Sequence, residues 1–275
     1  MASTAKINQE IATVNLPTFL ELPERTRKPR NSGITHVIDR GIGLRQAEDL
    51  LETAANFIDF IKLGWGTSYV TQNLPEKVSL YQSFGIQLCF GGTLFEVAVL
   101  QNKFDQFRKY LQKFNMKYVE VSVGSVHIPL DKKCWYIEEL AKDFVVLSEV
   151  GSKDPNQIMP PYIWIKNIQA ELAAGAWKII AEARESGTAG IYRKDGEIRF
   201  GLIDEIITQI DFNDLIFETP KKAQQVWLID KFGHSVNLGN IAVNDVISLE
   251  TLRLGLRSDT LETFHKNSQN ESMFS

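Results

Sequence analysis

The 275-residue sequence predicts one α/β domain, a single (β/α)8 barrel of the TIM type with a polar N-terminal extension. Eight short apolar segments each end in charged residues or glycine, and segments with the spacing of amphipathic helices separate them. Parallel strands need crossover connections, so this strict alternation indicates a parallel sheet. Eight units favour a closed barrel over an open doubly wound sheet, and no Gly-x-Gly-x-x-Gly motif follows the first strand.

The elements follow one another without a long gap. The predicted strands cover 34–38, 58–61, 86–90, 118–121, 145–147, 177–181, 215–217 and 235–238. The predicted helices cover 44–57, 75–84, a long stretch after the third strand through Tyr110, 132–144, 162–174, 198–210, 222–232 and a last segment from Val243. Residues 1–32 are the polar extension, 33–265 form the barrel, and 266–275 read as a flexible polar tail.

The composition narrows the possible partners. A net charge of −4 argues against nucleic acid as a partner. Charges interrupt every apolar stretch before it could span a bilayer, and the first residues do not resemble a signal peptide, so we expect a cytoplasmic protein with no membrane partner. The two cysteines, Cys89 and Cys134, lie in a predicted strand and a predicted helix, which argues against a disulfide framework.

Charged residues concentrate at the strand ends, where barrels of this type carry their chemistry. Alternate residues of a strand share one face, so Lys178, Glu182 and Arg184 lie together, opposite a face of small apolar residues. The same parity directs Glu120 and Lys62 into the barrel. Each charge alone could belong to a structural ion-pair network, but the whole set at the strand ends predicts a functional site.

Glycines at the strand ends predict anion binding, because their backbone N–H groups are accessible. Gly66 and Gly92 follow the second and third strands, while Gly239 and Asn240 follow the eighth, close to the last helix. Tight-turn geometry is the alternative explanation for each glycine. None of the four histidines is assigned to catalysis, and no zinc, dinucleotide or serine-hydrolase motif is present.

The strand-end motifs are similar to those of the phosphosulfolactate synthase family. They are Arg27-Lys28-Pro29-Arg30, Asp39-Arg40-Gly41-Ile42-Gly43, Ile58 to Ser68 with its GWGTS string, Gly91 to Glu96, Ser148-Glu149-Val150-Gly151, Ala183 to Gly187 with its ARESG string, and Leu252 to Thr260. The resemblance extends from Arg27 to Leu261. It implies Mg²⁺-dependent addition of sulfite to phosphoenolpyruvate, giving (2R)-phospho-3-sulfolactate, in coenzyme M biosynthesis or a related sulfonate pathway. It also implies a homo-oligomer, with a trimer as one candidate.

For that reaction we assign Glu120, Glu149 and Glu182 as Mg²⁺ ligands or their immediate supports, because hard cations prefer oxygen. Lys153 is the first choice for the general acid that protonates carbon. Lys62 is the second, either orienting the substrate carboxylate or lowering the pKa of Lys153 by like-charge proximity.

Two arginines complete the set of candidate residues. Arg40 and Arg184 are assigned to the phosphate or the sulfite, since both substrates are anions. One position departs from the family pattern: Val123 stands in Ser122-Val123-Gly124, where the family has an aspartate.

Two other functions remain open. A Schiff-base barrel lyase would use Lys62 or Lys178 as its nucleophile. A non-catalytic, stress-associated barrel protein of the same family, like its plant heat-stress members, would keep the fold without turnover; Val123 favours this alternative, and the retained strand-end charges oppose it.

Overall fold

The structure, a computed structural model, describes residues 19–154, 156 and 158–265. The predicted tail, 266–275, and the first part of the predicted extension therefore lie outside the described residues. Among the described helices, none is long and apolar enough to cross a membrane.

Eight parallel strands form one sheet in the order β3-β2-β1-β8-β7-β6-β5-β4. The strands are β1 Thr35–Asp39, β2 Phe60–Leu63, β3 Gln87–Phe90, β4 Tyr118–Val121, β5 Val145–Val150, β6 Ala176–Ala181, β7 Leu215–Glu218 and β8 Leu238–Ala242. The two terminal strands of this order, β3 and β4, lie against each other. The sheet is thus a nearly closed (β/α)8 barrel, which confirms the predicted fold class.

Helices cover the outside of the barrel. They are α1 Leu44–Ala54, α2 Thr67–Val70, α3 Leu74–Ser83, α4 Gly92–Leu100, α5 Phe104–Lys113, α6 Leu130–Ala141, α7 Pro161–Ala173, α8 Phe200–Ile207, α9 Lys222–Phe232, α10 Val246–Arg253 and α11 Ser258–His265. The single long helix predicted after β3 is wrong. Asn102 adopts a left-handed φ of 55° and separates α4 from α5, and the Lys103 N–H closes the turn on the Ala98 carbonyl at 2.7 Å.

The eighth strand was predicted at 235–238, which is also wrong. Gly239 was interpreted as a loop glycine, but it lies inside β8, opposite Glu218 of β7. Its carbonyl accepts a hydrogen bond from the Thr219 N–H at 2.8 Å. The strand therefore continues through Asn240 to Ala242.

The two faces of the strands separate largely as the parity argument predicts, with Trp177 at the start of β6 as an exception that packs inside the barrel. On β6, Ile179 and Ala181 pack outward in the main core beneath the helices, whereas Ile180 points into the barrel. We call the apolar cluster inside the barrel the floor layer; it comprises Ile34, Phe60, Cys89, Leu147, Ile180 and Ile216, with Tyr118 and Trp177 packed against it. The charged residues lie above this layer, toward the carboxyl ends of the strands.

The described part of the N-terminal segment crosses the opposite end of the barrel. Arg25 pairs with Glu250 of α10 at 2.8 Å, and Arg30 pairs with Asp59, just before β2, at 3.1 Å. Arg253 donates to the carbonyls of Val236 and Ile34 from within the core. Arg25 and Arg253 thus link the start of the described chain to α10, and Arg30 links it to the segment before β2.

Candidate active site

A cavity of about 530 Å³ opens at the carboxyl ends of the strands. Its wall is formed by Ile38, Lys62, Gly64, Trp65, Gly91, Gly92, Thr93, Glu120, Gly124, Ser125, Glu149, Lys153, Asp154, Glu182, Arg184, Glu185, Glu218 and Asn240. The size suits a small organic anion rather than a polymer.

Two lysines and four glutamates, here called the charged layer, occupy the base of this cavity. The layer comprises Lys62 of β2, Glu120 of β4, Glu149 of β5, Lys153 after β5, Glu182 after β6 and Glu218 of β7. Lys62 Nζ lies 3.2 Å from Glu120 and 3.3 Å from Glu218. Lys153 Nζ lies 3.1 Å from Glu149 and 3.7 Å from Glu182. With all groups ionised, two negative charges remain in excess.

Backbone donors fix one oxygen of several of these carboxylates. The Gly92 N–H donates to Glu120 Oε1 at 2.7 Å, and the Ala183 N–H donates to Glu218 Oε2 at 2.9 Å. The Arg184 N–H likewise donates to Glu182 Oε1. Such donors set the rotamer of each carboxylate and direct its second oxygen toward the cavity.

Three carboxylate oxygens in the charged layer are buried and, with the carboxylates ionised, have no hydrogen-bond partner of good geometry: Glu120 Oε2, Glu149 Oε1 and Glu182 Oε2. Each has a lysine within ion-pair distance, and a proton on Glu182 would allow Glu182 and Glu149 to hydrogen-bond to each other. Asn240 Oδ1 is a further buried oxygen without a partner. Buried unsatisfied oxygens are costly, so this set can accept a hard cation.

The pKa values of the four carboxyls diverge. Burial raises the pKa of Glu182 well above its ordinary value, and the negative charge of Glu149 raises it further. Burial also raises the pKa values of Glu120 and Glu218, against the opposing charge of Lys62. For Glu149, burial alone would raise the pKa, but the charges of Lys153 and Lys62 and a hydrogen bond from Glu182 together outweigh it, and the pKa falls below the ordinary range.

Both lysines are held in the charged form. Burial lowers the pKa of Lys153, but the charges of Glu149 and Glu182 outweigh it, and the pKa rises above its ordinary value. Lys62 lowers the pKa of Lys153, as predicted, but by less than the two glutamates raise it. The pKa of Lys62 itself is raised well above its ordinary value, because Glu120, Glu218 and Glu149 outweigh burial.

The predicted anion-binding residues divide into two groups. Arg184, Asn240 and Gly92 line the cavity, although the Gly92 N–H is already engaged by Glu120. Among the described residues, the cavity wall does not include Arg40, Gly66 or Gly239. Arg40 lies outside the wall with its guanidinium 5.7 Å from the Trp65 ring, and Gly239 is buried in β8 beside His36.

Glu218 belongs to the charged layer but was not among the predicted site residues. Its signal was present, since the seventh strand ends in Glu218-Thr219-Pro220 as the other strands end in charged groups. Glu96 of α4 was also missed. Its carboxylate accepts from Ser122 Oγ at 2.5 Å and from the Gly124 and Ser125 N–H groups, and it anchors the loop after β4.

This anchored loop contains the departure from the family pattern. Gly124 and Ser125 line the cavity, whereas Val123 does not. A Cβ at Gly124 would lie 2.5 Å from the Lys153 side chain, so the glycine leaves room for that lysine. The position of the loop thus bears directly on Lys153.

Comparison with known proteins decides the family. A family model described as (2R)-phospho-3-sulfolactate synthase matches residues 23–259. The chain belongs to this family. The phosphosulfolactate synthase of Bacillus subtilis is 47% identical over 244 residues, covering 88% of this chain and 97% of that protein. The phosphosulfolactate synthase of Methanocaldococcus jannaschii is 45% identical over 235 residues, covering 83% and 93%.

The region matched by the phosphosulfolactate synthase model contains the entire cavity wall, which runs from Ile38 to Asn240. It also contains Arg25 and Arg30, which brace the opposite end of the barrel. The site and the frame that holds it are therefore both parts of the family fold.

Proposed function

We propose that the protein catalyses the Mg²⁺-dependent addition of sulfite to phosphoenolpyruvate, giving (2R)-phospho-3-sulfolactate. The observation that carries this proposal is the charged layer, in which two lysines and four glutamates meet in one small cavity. Two small anions need cations to bind, and the addition step needs both charge stabilisation and a proton donor.

The donor set fits Mg²⁺. Glu120, Glu149 and Glu182 line the cavity and each has a buried oxygen without a hydrogen-bond partner, and the layer would carry two excess negative charges with all its groups ionised. These three residues would hold the ion, with Asn240 Oδ1 as a further oxygen ligand or water acceptor. When bound, Mg²⁺ would stabilise the negative charge that develops on the substrate carboxylate.

The addition of sulfite to phosphoenolpyruvate requires one general acid. The sulfur lone pair of sulfite attacks the methylene carbon of phosphoenolpyruvate, the carbon–sulfur bond forms, and the π electrons of the double bond move toward the carboxylate. The adjacent carbon then takes a proton. We assign this proton to Lys153 Nζ, because the neighbouring carboxylates keep it protonated at neutral pH and the side chain reaches the cavity.

Lys62 has a supporting role in this proposal. Paired with Glu120 and Glu218, it fixes both carboxylates and keeps a permanent positive charge beneath the substrate. In this proposal Arg184, which lines the cavity, binds the phosphate, and Arg40, whose guanidinium lies 5.7 Å from the Trp65 ring, adds a cation outside the wall.

The test combines purified protein, phosphoenolpyruvate, sulfite and Mg²⁺, and follows the loss of phosphoenolpyruvate together with the product mass. We expect turnover that stops with a chelator and returns with added Mg²⁺. Absence of turnover in a protein with native circular dichroism would contradict the proposal and would favour the non-catalytic, stress-associated alternative.

The Schiff-base alternative receives less support. A lysine nucleophile must be neutral, whereas the pKa of Lys62 is raised by three carboxylates. Lys178 donates to the Asn213 carbonyl at 2.6 Å and does not line the cavity. Borohydride reduction in the presence of a carbonyl substrate would trap an adduct if this alternative were correct, and we expect none.

A homo-oligomer, with a trimer as one candidate, extends the proposal. Three exposed apolar side chains on α2 and α4 are available for such contacts: Tyr69 is 81% exposed, Val70 74% and Leu100 64%. Contiguous apolar patches on a protein surface are typical of interaction sites. Sedimentation equilibrium of the purified chain would measure the oligomeric state, and we expect a species larger than 31.2 kDa.

A further inference from the structure

A second group of metal-binding side chains lies where the floor layer meets the charged layer. His36 of β1, Cys89 of β3 and Glu120 of β4 each offer a ligand atom, and these atoms all lie within 4.8 Å of one another. All three side chains are buried, at 0%, 0% and 1% exposure. The mechanism proposed above uses Glu120 but neither His36 nor Cys89.

The distances resemble those of a metal coordination shell. His36 Nε2 lies 3.8 Å from Cys89 Sγ. Two ligands bound to one tetrahedral zinc ion at ordinary Zn–N and Zn–S lengths are about 3.6 Å apart. The observed separation is therefore close to the value that a shared ion requires. In the tautomer that carries its proton on Nδ1, the Nε2 lone pair of His36 faces Cys89 Sγ.

The donor types select a different ion from the one in the proposed catalytic site. Thiolate and imidazole favour borderline or soft cations such as Zn²⁺ and Co²⁺, whereas Mg²⁺ prefers oxygen alone. Glu120 Oε2, which has no hydrogen-bond partner, supplies the third ligand. Cys89 is also free of any disulfide.

Glu120 lines the cavity wall, whereas His36 and Cys89 lie behind it, so a cation would reach the site past Glu120. Lys62 Nζ is the competing cation at 3.2 Å from Glu120, but it has a second partner in Glu218 at 3.3 Å. A divalent cation can thus displace Lys62 from Glu120 without leaving the lysine unpaired. The cation would deprive the charged layer of Glu120.

We propose that His36, Cys89 and Glu120 form a binding site for one borderline or soft divalent cation, of which Zn²⁺ is the representative, and that its occupation inhibits the Mg²⁺-dependent enzyme. Binding forms one sulfur–metal bond and releases the thiol proton of Cys89 to solvent. The site shares only Glu120 with the proposed Mg²⁺ ligands.

Cobalt(II) is the probe, since a thiolate bound to Co²⁺ gives a charge-transfer band that oxygen and nitrogen ligands do not. The full-length Cys134→Ser variant is titrated with Co²⁺ in Mg²⁺ buffer. We expect the band to saturate at one Co²⁺ per chain and to disappear on addition of Zn²⁺. The matched Cys89→Ser variant, which keeps Cys134, should show no band and should bind Zn²⁺ on the order of 100-fold more weakly.

The result that overturns the proposal is a Cys134→Ser protein without a saturable band, and this outcome does not depend on whether Cys89→Ser folds. A band that survives in Cys89→Ser overturns it equally. The titration uses no substrate, so it remains decisive if the proposed sulfite addition fails. Where turnover is measured, Zn²⁺ inhibition is scored for each variant relative to its own rate in Mg²⁺ alone.

Discussion

The floor layer and the charged layer lie next to each other on the same strands, yet they follow opposite rules. Leu147 and Ile180 of the floor layer are fully buried within an apolar cluster. Glu149 and Glu182 lie two residues farther along the same chain segments and are equally enclosed, but they are charged and incompletely hydrogen-bonded. The barrel thus places a layer that stabilises the fold directly beneath a layer that costs stability and carries the chemistry.

The largest expected effect is in the charged layer. Lys153→Ala removes the proposed proton donor, and we expect turnover per folded molecule to fall by about 10³- to 10⁴-fold, with a lower melting temperature because Glu149 and Glu182 lose their cation. Lys178→Ala is the control, because Lys178 lies outside the cavity wall and should leave turnover within a few fold. Equal rates for Lys153→Ala and wild type would remove Lys153 from the acid role, and steady-state kinetics with both variants decides it.

A pair of substitutions separates stability from activity. Ile180→Ala in the floor layer should cost roughly 2 to 5 kcal/mol of unfolding free energy through the cavity it leaves, with turnover per folded molecule nearly unchanged. Glu182→Gln should lower turnover and leave the unfolding free energy nearly unchanged. It retains an oxygen for the Arg184 N–H and removes a carboxyl whose pKa is raised by burial and Glu149, so stability holds while Mg²⁺-dependent turnover falls.

Urea unfolding and kinetics on the same preparations test this contrast. If Glu182→Gln proved as destabilising as Ile180→Ala, Glu182 would be a structural member of an ion-pair network, and the distinction between the layers would fail.

Acid should destabilise the metal-free protein through His36, which contacts the floor layer. Burial, and next the charge of Lys62, lower the pKa of His36 to about 3, against an opposing effect of Glu149. The unfolded chain takes up this proton below about pH 6.5, whereas the folded chain resists it until about pH 3. The contribution of neutral His36 to the unfolding free energy is therefore fully present above about pH 6.5. Between about pH 6.5 and pH 3 it falls by up to about 1.4 kcal/mol per pH unit as the pH is lowered.

Urea unfolding in chelator between pH 7 and pH 4 measures this slope. A His36→Leu variant, which cannot take up the proton, should show a shallower slope. Parallel slopes for the variant and wild type would assign the acid sensitivity to other groups.

The smallest effect concerns the loop that Glu96 anchors. A methyl group at Gly124 meets the flexible end of Lys153 at 2.5 Å, so Gly124→Ala should displace the ammonium and lower turnover about tenfold. Gly201→Ala is the matched control, since a Cβ there meets nothing within 4 Å and the residue lies in α8. The control should keep full turnover and gain about 0.5 to 1 kcal/mol. If Gly124→Ala and Gly201→Ala had identical kinetics, the position of the loop would have no influence on the function of Lys153.

The sequence predicted the barrel because its periodicity changes at nearly every boundary, and strand parity correctly placed Ile180 and Glu182 inside it. The break at Asn102 was missed because apolar spacing continues across it and only a left-handed φ reveals the turn. Gly239 was misplaced because a glycine in a strand has the same sequence signal as one in a loop. The high pKa of Lys153 could not be predicted either, since it depends on two glutamates that only the folded barrel brings together.

The contact between Arg25 and Glu250 joins residues 225 positions apart. During synthesis at about 5 to 20 residues per second, Arg25 leaves the ribosome roughly ten to forty-five seconds before its partner. β8, the strand that completes the pairing of β1, is synthesised after a delay of nearly the same length. One edge of β1 therefore keeps its backbone N–H and C=O groups unpaired during that interval. A chaperone or a strand of another chain could bind this edge before β8 is made.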